Sequence, residues 1–297
     1  MKKIFLFIAA FLFTVSIAVA EEKGKPHSYK VGKYEVYVLT ENSGMAANSI
    51  LIDAPEDVLQ KYAPEGGSPN AVNAVLVRSK DEVWLVDTGF GRHIFEKMAA
   101  LGIEPEEVDH VLLTHMHGDH IGGMFRDGKP AFPNADVVVA QKEYDYWSST
   151  EQMNKFPENR RGSFVAAQKL FSEYAGRLKI VQPLQIKDRM PAGITPVAAY
   201  GHTPGHIMFM VRDGKKQLLI WGDLTHAMAV QMPHPEISVT YDVDPDMARE
   251  SRIAVLRHIA GKDILVVGMH IDADYPGRVY PGKVYNNYSF EVLARLK

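Results

Sequence analysis

The chain has 297 residues, 46% of them hydrophobic, a formal net charge of −3 and no cysteine. Missing cysteine excludes disulfides, thiolate metal ligands and a lipid anchor on a lipobox cysteine, so the fold must rest on an apolar core, for which the length is ample. The mildly acidic balance argues against nucleic acid as a partner, because a phosphate backbone calls for a basic surface.

The chain opens with Met1-Lys2-Lys3, an apolar stretch from Ile4 to Val19, and Ala18-Val19-Ala20 before Glu21-Glu22. These are the three parts of a secretory signal peptide. The rival reading is an uncleaved anchor, but a full span needs ~20 apolar residues, and the small-x-small site favours cleavage. Residues 1–20 therefore read as a signal peptide and 21–297 as a single domain, which predicts a periplasmic or secreted bacterial protein with no membrane span after cleavage.

Short apolar runs predict strands at Tyr34 to Leu39, Ala74 to Arg78, Val83 to Val86, Val111 to Leu113, Val137 to Ala140, Ile194 to Ala199, Ile207 to Val211, Leu218 to Ile220 and Ile264 to Val267. Helices are predicted over Ile94 to Leu101, Gln141 to Trp147, Phe164 to Tyr174 and Asp246 to Ala260. In the last, Ile253, Leu256 and Ile259 recur at helical spacing, with Arg249, Arg252 and Arg257 on other faces. Asp244-Pro245 is a helix start and Gly261 a stop. Asp213-Gly214-Lys215-Lys216 reads as a solvated hairpin turn. Two stretches, Asn42 to Asn70 (with a short helix at Pro55 to Tyr62) and Thr225 to Thr240, read as loops over a site. Alternating strands and helices indicate an α/β protein.

Thr114-His115-Met116-His117-Gly118-Asp119-His120 follows the Val111 run and holds three imidazoles and a carboxylate in six positions. Those are the ligands Zn²⁺ takes when cysteine is absent. His115 and His117, two apart on an extended backbone, project to one side, and Gly118 lets the chain turn before Asp119 and His120. One segment can thus serve two neighbouring ions. Gly201-His202-Thr203-Pro204-Gly205-His206, Trp221-Gly222-Asp223 and Gly268-Met269-His270 each end another apolar run, and open sheets gather functional groups at strand C-termini. Singly, each reads as a turn residue; in this order they read as a site.

With Asp87-Thr88-Gly89, these motifs make the chain resemble the metallo-β-lactamase-fold hydrolases over residues 87–270. The resemblance implies a four-layer αββα sandwich. It also implies one metal held by His115, His117 and His202, a second held by Asp119, His120 and His270, and Asp223 bridging both. An aspartate bridge fits glyoxalase II, the acyl-homoserine lactonases and methyl parathion hydrolase rather than the true β-lactamases. The Tyr29-to-Val36 segment and the stretch after Asp223 look most like the methyl parathion hydrolase branch.

Two Zn²⁺ ions (Mn²⁺ and Fe²⁺ stay open) sharing a hydroxide would attack a lactone or ester carbonyl without a protein nucleophile. Asp119 is the candidate for orienting that group and carrying its proton. Asp87 reads either as a partner for the outer N–H of a ligand imidazole or as a cap of the Thr88-Gly89 turn. His206 reads as orienting its turn, and His27, His93, His110 and His258 as ordinary surface residues. Met228, Met232 and His226 are substrate-contact candidates, along with Met45 and Tyr241; core filling is the equal alternative for the methionines. The substrate is a small ester, lactone or phosphotriester. Rival functions are an organophosphate triester hydrolase or β-lactamase on the same centre, a mononuclear iron dioxygenase and a non-catalytic zinc-binding module. A homodimer stays open.

Overall fold

The computed structural model describes residues 26, 28–271, 277–281 and 288–292; the segment 1–20, expected to be a signal peptide, and His27 lie outside them. Seven strands form one sheet, in the spatial order Ser28–Val31, Tyr34–Ala47, Gly67–Arg78, Val83–Val86, His110–Leu112, Asp136–Ala140 and Leu178–Val181. Six form a second: Gly193–Ala198, Ile207–Asp213, Lys216–Ile220, Leu265–Val267, Gly277–Pro281 and Tyr288–Val292. Each sheet mixes antiparallel hairpins with parallel neighbours, the parallel pairs being those separated by helices.

The period of two along the strands sorts residues into layers. Val75, Val77, Phe209, Val211, Leu218 and Ile220 point between the sheets and fill that space. Their neighbours Leu76 and Leu85 face outward onto Ile94, Met98, Phe164 and Leu170 of the Ile94–Ala100 and Gly162–Glu173 helices. On the other side Met208, Met210 and Leu219 meet Val255, Leu256 and Ile259 of the Pro245–Ile259 helix. The result is the four-layer αββα sandwich. The Pro245–Ile259 helix starts as predicted, with the Asp244 carboxylate accepting the Met247 N–H at 2.9 Å. The predicted Asp213-to-Lys216 turn is a hairpin connection. No helix among the described residues is long and apolar enough to cross a membrane.

Two expectations are corrected. Much of the Asn42-to-Asn70 stretch is not loop: Asn42 to Ala47 pairs with Gly67 to Val72 across a register shift at Thr40/Asn42, extending the hairpin outward as an arm. Apart from Met45 its residues 42–47 are polar or small, and they are largely exposed, so no apolar alternation marked it. Only 48–66 connects the strands, with a helix at Glu56–Tyr62. Leu51, Val58, Ala227, Val230 and Val239 form a small separate core joining this connection to the segment after Asp223, aided by backbone bonds from Ile52 to Ser238 and Thr240 to Ile50.

The second correction is Arg252, predicted on a non-core face and found 1% exposed. Its guanidinium donates to the carbonyls of Leu224, Pro235 and Ile237 and to the Ser238 hydroxyl. A buried charge needs such partners. These four clamp the loop that follows Asp223.

Candidate metal centre

The seven predicted donors lie together beyond one edge of the two sheets. His115 to His120 follows the His110–Leu112 strand, His202 the turn after Gly193–Ala198, Asp223 the Lys216–Ile220 strand, and His270 the Leu265–Val267 strand. His115, His117, His202 and Asp223 form one convergent set, and Asp119, His120 and His270 another.

In the first set, Nδ1 of His117 is 3.0 Å from Nε2 of His115 and 3.0 Å from Nε2 of His202. Donors about 2.0–2.1 Å from a tetrahedral ion stand about 3.3 Å apart, so this spacing suits one ion held among three rings. In the second set, Nε2 of His270 is 3.4 Å from Oδ2 of Asp119, and Nε2 of His120 is 3.7 Å from its Oδ1. Asp223 stands between the sets. Its Oδ2 is 3.2 Å from His202 Nε2 and 3.1 Å from His270 Nε2, and its Oδ1 is 3.3 Å from His120 Nε2. Nε2 of His120 and Oδ1 of Asp223 are buried with no hydrogen-bond partner. Buried polar atoms left unpaired are costly, and two of them aimed into one donor cluster are what an ion there would satisfy.

The opposite nitrogens of four imidazoles are anchored. His120 Nδ1–H donates to Asp87 Oδ2 at 2.7 Å, His202 Nδ1–H to Asp242 Oδ1 at 2.9 Å and His270 Nδ1–H to the Ala71 carbonyl at 2.8 Å. The Thr114 hydroxyl donates to Asp87 at 2.7 Å and accepts from His115 Nδ1–H at 3.1 Å. Each bond sets the tautomer and aims the lone pair of Nε2 inward. Of the two readings of Asp87 the geometry favours the imidazole partner, and its backbone takes the left-handed φ of 58° to reach it. Asp242 and the Ala71 carbonyl carried no sequence signal. His206 orients rather than joins the cluster, its Nδ1–H donating to the Ala199 carbonyl and its Nε2 accepting the Asp223 N–H. Gly222, at φ 57°, must be glycine, since a Cβ would lie 2.5 Å from His206 Nε2.

The electrostatics divide the rings. Burial pushes His115 and His117 well below the ordinary imidazole value, leaving them neutral. Burial opposes charge on His202 as well, but its bonds to Asp223 and Asp242 outweigh it and raise it to about 9. His120 and His270 are raised by Asp223 and Asp119 against the same burial. Burial likewise opposes charge on Asp223, but His120 and His270 hold it well below the carboxylate range. Without ions, protons supply the positive charge that this carboxylate requires.

The centre opens into a cavity of about 730 Å³. His117, Asp119, His202, Asp223, His226 and His270 form its floor, and Met45, Ile50, Val72, Phe90 and Tyr241 its apolar wall; no Lys or Arg lines it among the described residues. The His226 ring stacks on His270 at 4.7 Å, and its Nε2 is 3.1 Å from Asp223 Oδ2. The structure corrects the expectation for two methionines. Met232 is buried and Met228 partly so, both packed into the core of the second sheet instead of the cavity wall. The short helix Met228–Gln231 turns them away, held by Gln231 Oε1 accepting the N–H groups of His226 and Ala227.

Residues 67–270 match the metallo-beta-lactamase superfamily. The chain belongs to that superfamily. It is 25% identical over 236 residues, 67% of this chain and 74% of the relative, to the probable metallo-hydrolase Rv2300c of Mycobacterium tuberculosis. It is 30% identical over 128 residues, 42% of this chain and 43% of the relative, to the N-acyl homoserine lactonase AttM of Azorhizobium caulinodans. Among solved structures it is similar to the hydrolase AbOPH, with a TM-score of 0.79 and 25% identity, covering 92% of this chain and 99% of that one. AidC, a dizinc quorum-quenching lactonase, has the same fold, with a TM-score of 0.80 at 22% identity over 92% and 99% of the two chains. With homologues named metallo-hydrolases and lactonases, this superfamily member is a metal-dependent hydrolase.

Proposed function

We propose that this protein is a periplasmic or secreted dinuclear-zinc hydrolase that cleaves a lactone or ester carbonyl. The observation that carries the reading is Asp223, buried between the two donor sets, with Oδ2 within 3.2 Å of His202 in one and His270 in the other and Oδ1 turned toward His120. His115, His117 and His202 would hold one ion, Asp119, His120 and His270 the other, and Asp223 both. When bound, such a pair supplies a Lewis acid for the carbonyl oxygen and brings the pKa of water down toward ~7, so that it attacks at neutral pH.

The chain's own groups do the rest. Asp119 is partly exposed and lines the cavity floor. Its carboxylate takes the proton from the attacking water and hands it to the leaving oxygen. His226 faces the same space and contacts the substrate beside Asp223. The apolar wall of Met45, Ile50, Val72 and Phe90 receives the substituent on the carbonyl. A wall without lysine or arginine among the described residues suits neutral substrates better than a β-lactam with its carboxylate. A neutral phosphotriester meets the same wall equally well and is the second reading.

The test is a metal assay together with a substrate panel on the mature protein. Two zinc per chain and turnover of acyl lactones or aryl esters, with nitrocefin untouched, is the expected result. Faster turnover of phosphotriesters would shift the substrate class. One ion per chain, or two ions with no turnover across the panel, would sink the proposal. Signal processing is read separately, by whether the N-terminus of protein recovered from the periplasm begins at Glu21.

A further inference from the structure

We propose that Glu143 is a positioning residue that holds the imidazoles of His115, His117 and His202 in register for one of the two ions. The proposal rests on the two-ion reading above. Glu143 belongs to neither donor loop; it stands in the first turn of the Gln141–Ser148 helix and is 1% exposed. Its Oε1 accepts the backbone N–H of Met116 at 3.0 Å and the indole N–H of Trp147 at 2.6 Å. Its Oε2 accepts the Thr203 hydroxyl at 2.7 Å and the backbone N–H of Gly205 at 2.9 Å.

Met116 lies between His115 and His117, and Thr203 follows His202. One carboxylate therefore ties the segment carrying two of the rings to the turn carrying the third. With four donors its acceptor sites are filled, so it is engaged wholly in holding the loops. The approach is close: a Cβ on Gly205 would lie 2.0 Å from the Glu143 backbone nitrogen. The third ring explains why such a tie is needed. His115, His202, His120 and His270 each have an outer-nitrogen partner, whereas among the described residues His117 has none, its Nδ1 facing the other two rings. Its placement falls to the backbone at Met116 and to Trp147, whose ring meets it edge-on at 5.9 Å. Both are bound to Glu143 Oε1.

The test is Glu143→Gln, in the full mature protein. Glutamine keeps the shape but turns an amide NH₂ toward two donors, whichever way it is flipped. Chelator competition with Zn²⁺ reads the affinity of each ion, and Co²⁺ absorption reads its ligand geometry. We expect one ion to weaken about 10–100-fold in Glu143→Gln, with altered Co²⁺ absorption, while the other keeps its affinity. Asp119→Asn marks the complementary ion. Thr203→Val, which removes one of the four bonds, should act in the same direction by less. Equal weakening of both ions with a lowered melting temperature of the metal-free protein would reduce Glu143 to a general structural role and overturn the proposal, as would unchanged affinity for both. Wild-type protein that takes up fewer than two ions counts instead against the two-ion reading.

Discussion

Nε2 of His206 accepts the backbone N–H of Asp223 at 3.0 Å, while Nδ1–H of the same ring donates to the Ala199 carbonyl at 2.9 Å. One neutral tautomer thus joins the segments that follow two strands of the second sheet and sets the backbone from which Asp223 reaches both donor sets. Burial, with His202 nearby, pushes His206 down to about 3. The unfolded chain takes up that proton near pH 6.5. His206 therefore contributes stability above pH 6.5 that is lost as pH falls toward 3. In His206→Ala, urea denaturation should show a loss of about 1–3 kcal/mol at pH 7, from the stranded N–H and carbonyl. It should also show a shallower dependence on pH below 6.5. An unchanged pH slope would contradict the assignment.

Asp87→Asn should act on the ion shared by Asp119, His120 and His270. The amide cannot accept both the His120 Nδ1–H and the two Thr114 donors that the carboxylate now holds. A loss of about 10–100-fold in affinity for that ion is expected, read by chelator competition, with the other ion weakened less, through Thr114 and His115.

Asp119→Asn should separate metal binding from turnover. At zinc concentrations that restore two ions per chain, kcat should remain down by about 10²–10⁴-fold. Full recovery of kcat on reloading would show that the carboxylate serves the metal alone.

Zinc uptake should release protons. In the metal-free protein the bonds to Asp223 and Asp242 hold His202 at about 9 against burial, so at pH 7.5 it is protonated, and an ion must displace that proton. Calorimetry in buffers of different ionisation enthalpy should show at least one proton released per chain at pH 7.5. Zinc affinity should rise with pH until about 9. Affinity independent of pH over that range is the contrary result.

Arg252→Met should destabilise the fold by about 3–5 kcal/mol, because the Leu224 and Pro235 carbonyls lose their buried donor and Ile237 and Ser238 each lose one of two partners. Thermal or urea unfolding reads it, and the zinc-loaded protein should lose activity as the loop carrying His226 loosens.

The core strands and helices were legible because their burial is periodic. Val75-Leu76-Val77 and Phe209-Met210-Val211 alternate between two apolar layers, and Val255, Leu256 and Ile259 recur on one helix face. The arm from Asn42 to Ala47 was not legible, since its pairing with Gly67 to Val72 is made by backbone atoms, whatever the side chains. Met228, Met232 and Arg252 were misplaced for a related reason. Composition says that a methionine or an arginine is present, but the direction of a one-turn helix and the position of four distant acceptors decide where it goes.

By itself the sequence determined which atoms can bind metal and in what order they come, because His115 to His120 is a local pattern and the other donors each end an apolar run. Only the tertiary structure decided what aims them. Asp242, Glu143 and the Ala71 carbonyl lie 40, 27 and 199 positions from the groups they hold. A hydrogen bond depends on distance in space, and the folding of two sheets against each other is what makes such remote atoms neighbours.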